Sequence, residues 1–244
     1  MTLSGIIRCP SARKALVSLV FFVSSSVAYT RLLRNISTKK GKQKEEDSMP
    51  HFQIVFVLGG PGSGKGTQCE TITTNFPTWT HLSAGDLLRA ERQKSDSKLA
   101  EIINARILNG QIVPSEITVQ LIKNAMEENY KEKRCTKFVI DGFPRSEENR
   151  TAWEDILGSS STVEFVLYLD CPEEVMTERL LRRGQTSGRV DDNLEIMKKR
   201  FETSRKESMP MVELYESYGK LRTVKADRNV EEVYQEVSAL FKDL

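Results

Sequence analysis

The feature that most constrains this chain is Gly59-Gly60-Pro61-Gly62-Ser63-Gly64-Lys65-Gly66-Thr67. It follows the apolar run Ile54-Val55-Phe56-Val57-Leu58 and precedes a helical stretch from about Lys65 to Phe76. Glycines let backbone N–H groups point inward around phosphate oxygens. A helix amino terminus adds partial positive charge, and a lysine at this place reaches the β- and γ-phosphates. Strand, glycine loop and helix in this order imply a nucleotide, bound through Gly62, Ser63, Gly64, Lys65, Gly66 and Thr67. The spacing is G-x-x-x-x-G-K, but Gly66 comes next and the hydroxyl arrives one place late, at Thr67. Direct contact between Thr67 and a magnesium ion is therefore left open.

From Phe52 onward, short continuous apolar runs alternate with helical stretches, which predicts an α/β domain with a parallel sheet. Phe138-Val139-Ile140 and Phe165-Val166-Leu167-Tyr168-Leu169 join Ile54–Leu58 as strands buried on both faces. His81-Leu82 and Leu221-Arg222-Thr223-Val224 are weaker strands, giving five in a three-layer sandwich. Asn229 with Glu232, Pro114-Ser115 and Pro172-Glu173 mark helix starts. Polar residues gather where the strands end, the edge at which such sheets bind ligands.

Charge is unevenly spread. Residues 1–44 hold nine of the 36 Lys and Arg and no Asp or Glu, so the rest of the chain carries 27 basic against 34 acidic residues. A net acidic globular part lacks the broad basic field of a nucleic-acid binder, and a basic site must be local and concave. Residues 1–48 read as a basic leader and linker and residues 49–244 as the folded domain. The apolar run Ala15–Val23 spans only about 14 Å as a helix, too short to cross a bilayer. Basic, Ser-rich and acid-free composition fits an organellar presequence. A secretory signal, with Ser26-Val27-Ala28 as cleavage site, and a plain tail are the alternatives. Mitochondrial localisation follows if the leader acts as a presequence, and cytoplasm and nucleus otherwise, with Met49 available as a second start. Cys9, Cys69, Cys135 and Cys171 are scattered and read as reduced thiols.

The loop GGPGSGKGTQC resembles that of the adenylate and UMP/CMP kinase family. The likeness continues through His81–Arg89, Asp141-Gly142-Phe143-Pro144-Arg145 and Ser187–Asn193, and covers about Gln53 to Phe241. What it implies is a P-loop kinase fold with an acceptor-binding part about 83–113 and a short lid about 183–193. ATP is the implied phosphoryl donor and a nucleoside monophosphate the acceptor, with Mg²⁺ as cofactor and a monomer expected. Arg89 and Arg145 would hold the acceptor phosphate, and Arg183, Arg189 and Arg200 would close over the transferring group. Lys65, Arg145, Arg189 and Arg200 would be catalytic. Arg183 and Arg228 would lie on the ATP side, and Asp141 would hold Mg²⁺ through water. Arg179, Arg182 and Lys199 read as solvated. Gly184 and Gly188 read as flexible points of the lid. Without a cysteine cluster the lid holds no zinc.

The acceptor site is implied to include Ala84, Arg89, Gln111, Ile112, Val113, Gly142, Phe143, Pro144, Arg145, Asn149, Arg189 and Arg200. Adenylate kinases usually carry Thr and Gln where this chain has Ala84 and Asn149. Both departures resemble UMP/CMP kinases and imply a pyrimidine, whereas the helix around Met176–Leu181 fits a short-lid adenylate kinase equally well. A P-loop protein that binds nucleotide without turnover is the reading from another class.

Overall fold

The five runs form one sheet whose inner strands are buried on both faces, while the edge strands Trp79–Ser83 and Leu221–Lys225 keep exposed positions. A computed structural model describes residues 50–189, 191–242 and 244. The leader, Met49 and Val190 of the lid lie outside the described residues, as do the targeting and alternative-start readings.

Chain order is β1 (Phe52–Gly59), α1 (Lys65–Asn75), β2 (Trp79–Ser83), α2 (Ala84–Gln93), α3 (Ala100–Leu108), α4 (Ser115–Lys133) and β3 (Lys137–Asp141). It continues through α5 (Glu147–Leu157), β4 (Ser161–Asp170), α6 (Glu173–Gly184), α7 (Leu194–Thr203), α8 (Met209–Ser217), β5 (Leu221–Lys225) and α9 (Val230–Ala239). A π turn, Ser204–Ser208, joins α7 to α8.

The sheet is parallel throughout, with order β2-β3-β1-β4-β5. Central β1 is sealed: Phe52 and Ile54 to Leu58 are each no more than 3% exposed. Val55 and Val57 pack with Ile72 of α1 and Val233 and Val237 of α9. Ile54 and Phe56 pack on the other side with Ile122 and Met126 of α4, Trp153 of α5 and Tyr215 of α8. Each such side chain contributes about 1.5–3 kcal/mol of burial. Because the pairing is parallel and in register, with Val57 beside Asp141 and Ser83 beside Asp141, three strand ends meet at one edge.

Local chemistry places the helix starts at the expected residues. The Asn229 side chain accepts from the Glu232 N–H at 2.9 Å, and Pro114 and Pro172 immediately precede α4 and α6. Asn193 opens α7 as its cap, its Oδ1 accepting from the Ile196 N–H at 3.0 Å.

Candidate active site

The loop after β1 leads straight into an uncapped helix. Gly64 sits at φ 96°, a left-handed conformation that disfavours side chains, and no side chain caps the first turn of α1. Those N–H groups border a cleft of about 1,920 Å³, measured out to its open mouth, with Gly62, Ser63, Gly64, Lys65, Gly66 and Thr67 on its wall. Lys65 folds back so that Nζ donates to the carbonyls of Gly59 and Gly60, both at 2.9 Å. Burial lowers its pKa to about 8, against the opposing pull of Asp141.

Asp141 ends β3 on the same wall, its Oδ2 3.4 Å from Nε2 of His81. Burial alone would raise its pKa. The approach of His81 and the charges of Lys65 and Arg145 outweigh that and hold the carboxylate ionised. Thr67, one turn into the helix, is exposed.

Eight arginines line the cleft, and of the five expected at the phosphates four are paired with acids. Arg89 meets Asp86 through Nη2 at 2.6 Å, and Arg189 reaches the same Asp86 oxygen at 3.4 Å. Arg183 grips Asp192 with two bonds of 2.7 Å, which raise its pKa. Arg200 bonds Asp191 Oδ2 at 2.8 Å and lies 3.4 Å from Asp192 Oδ1; burial nevertheless lowers its pKa to about 10. Arg145 differs. Its Nε donates to the Gly142 carbonyl at 2.7 Å, it makes no ion pair among the described residues, and burial lowers its pKa.

Beside this cleft lies a pocket of about 630 Å³, likewise measured out to its open mouth. Ala84, Arg89, Gln111, Ile112, Val113, Gly142, Arg145, Asn149 and Arg200 border it, together with Leu88 and Thr118. Arg89, Arg145 and Arg200 border both spaces. The two spaces therefore meet at three guanidinium groups.

Not every expected residue lies there. Phe143 is fully buried and packs edge-on against Phe56 and at a tilt against Trp153, so its side chain belongs to the core. Pro144, after a cis peptide, is buried and borders neither space. Arg189 faces the cleft but not the pocket. Arg228 borders the cleft with its guanidinium tied to Glu236 at 2.7 Å. Arg179, read from sequence as solvated, is partly buried and donates to the carbonyls of Ala226 and Arg228, pinning the loop before α9. Gly184 is needed for close approach: a Cβ there would lie 2.8 Å from the Asp192 carbonyl. Gly188, at φ 62° with open space around it, fits a flexible point better.

The sequence reading had passed over Asp86, Ser115 and Thr118 as site residues. Asp86 was legible as the acid three residues before Arg89. The hydroxyls of α4 carried no local signal.

Comparison with known proteins agrees with this geometry. The profile of the adenylate kinase family matches residues 57–220. The chain is 50% identical over 197 residues to a uridylate kinase of Saccharomyces cerevisiae, covering 80% of this chain and 94% of that protein. It is 47% identical over 191 residues to a UMP-CMP kinase of Danio rerio, covering 78% and 97%. To a UMP-CMP kinase of Homo sapiens it is 46% identical over 189 residues, covering 77% and 96%. With the sheet order and the glycine loop, these matches make the chain a member of the adenylate kinase family.

Proposed function

We propose that this chain is a nucleoside-monophosphate kinase that moves the terminal phosphoryl group of ATP onto UMP and CMP, with dCMP as a further acceptor. The observation that carries this reading is the junction of the two spaces at Arg89, Arg145 and Arg200. The pyrimidine assignment draws on relatives named uridylate kinase and UMP-CMP kinase, and on Ala84 and Asn149 in the pocket.

Phosphoryl transfer asks a protein chiefly to align two polyanions and to neutralise charge spread over the transferring group. In this reading the open N–H groups of α1 and Lys65 hold the ATP phosphates. Arg89 and Arg145 hold the acceptor phosphate. Arg200, with Arg183 and Arg189 from the lid side, meets the group in flight. Each guanidinium exchanges an acid or carbonyl for phosphate oxygens, so the acids keep it oriented beforehand. No general base is needed, because the acceptor already arrives as a phosphate anion. Mg²⁺ carried with ATP supplies further charge neutralisation at the β- and γ-phosphates. The ionised, buried Asp141 fits a role of holding its water ligands. Closure of the lid would keep water from the reacting group.

The test is ADP formation by the purified protein with ATP, Mg²⁺ and UMP or CMP. Tight nucleotide binding without ADP would instead favour a non-catalytic P-loop protein. For residues 1–48 we propose mitochondrial import; a fluorescent protein carrying them should enter mitochondria, and uniform cytosolic and nuclear fluorescence would refute this.

A further inference from the structure

Asn149 is not free to choose which end of its amide it presents. Its Oδ1 accepts from the Arg145 backbone N–H at 3.0 Å, its Nδ2 donates to Ser115 Oγ at 2.7 Å, and the residue is 2% exposed. Reversing the amide would set Nδ2 against the Arg145 N–H, donor against donor. One lone pair and one N–H remain, in fixed order. Uracil offers an N3–H donor beside a 4-carbonyl acceptor; cytosine offers an N3 acceptor beside a 4-amino donor. A fixed amide complements one of these patterns and not the other.

The same pocket holds a group without that restriction. Thr118 stands three residues after Ser115 on α4, hence on the same side of the helix, and borders the pocket at 6% exposure. Its hydroxyl bonds to no described residue and its oxygen keeps some accessible surface, on a residue that borders the pocket. A nearly buried hydroxyl with no partner in the protein calls for one in the ligand. A threonine hydroxyl both donates and accepts, and turns about a single bond.

We propose that Thr118 is a specificity-determining residue of the acceptor pocket. Its hydroxyl meets the ring position where the two pyrimidines differ, donating to the 4-carbonyl of uracil and accepting from the 4-amino group of cytosine. Asn149, held by Arg145 and Ser115, gives the base its fixed contact. The inference rests on the pyrimidine reading of the acceptor.

The experiment compares the full chain with T118V and T118S. It measures kcat and KM for UMP and CMP at saturating ATP, calorimetric Kd for each without ATP, and melting temperature. In T118V, KM and Kd should rise about three- to tenfold for both acceptors, the worth of one net hydrogen bond. Its kcat should stay within about twofold of the parent, KM for ATP should be unchanged, and T118S should restore both acceptors. The proposal is overturned if T118V keeps KM and Kd within about twofold of the parent, or if T118S does not rescue the loss. Should T118V fail to fold, T118A takes its place with the same thresholds. A parent protein inactive on UMP and CMP would sink the acceptor reading itself. A normal parent with an unaltered T118V would sink only the role of Thr118.

Discussion

Lys65 is held against two carbonyls in a buried site, and burial lowers its pKa to about 8. Near that pH the free protein carries the lysine partly neutral, and a polyphosphate beside it restores the ammonium. ATP binding at pH 8.5 should therefore take up protons, and ATP affinity should fall as pH rises through about 8. Calorimetry in buffers of different ionisation enthalpy reads both effects, and zero uptake would count against the assignment. For Lys65→Ala, turnover should drop about 10²–10³-fold or more, since the charge acts in a shielded site. The melting temperature of the free protein should not fall, because the substitution also removes a desolvated cation. The loop residues were legible in sequence because consecutive spacing alone fixes where their backbone points. Phe143 was not. A stretch such as Asp141–Arg145 tells which residues sit near the strand end, but not which side chain turns into the aromatic core. Ser115 comes within reach of Asn149, and Thr118 to the same pocket, only through the packing of α4 on α5, which no local pattern announces.

At the scale of elements, the segment between α6 and α7 is a braced strap. Asp192 has no exposed side-chain surface and holds Arg183 by two bonds, with Arg200 close by. Asp192→Ala should lower unfolding stability by about 2–4 kcal/mol, the cost of leaving a partly buried cation unpaired. It should also raise KM for ATP several-fold; unchanged melting and KM would show that the brace does not matter. Gly184→Ala forces a methyl against the Asp192 carbonyl and should cost about 1–3 kcal/mol, read by denaturant unfolding. Strands and caps were legible because double-sided burial makes runs such as Phe165–Leu169, and Asn229 needs only its own neighbours to cap α9. The role of Gly184 was not, since its reason is a carbonyl eight residues away in sequence that the turn brings within contact.

For the whole molecule, an acidic folded part with its cations drawn into one concavity fits a small polyanion better than a nucleic acid. Asn149→Gln should shift acceptor preference toward AMP, because the longer amide cannot keep both its bond to Ser115 and its place in the pocket. The central claim is that the pocket beside the phosphate loop takes a pyrimidine monophosphate. The most direct measurement is kcat/KM of the purified protein for UMP, CMP, dCMP and AMP at fixed saturating ATP and Mg²⁺. UMP and CMP should exceed AMP by about tenfold or more, the worth of the base contacts. A clear preference for AMP would contradict it.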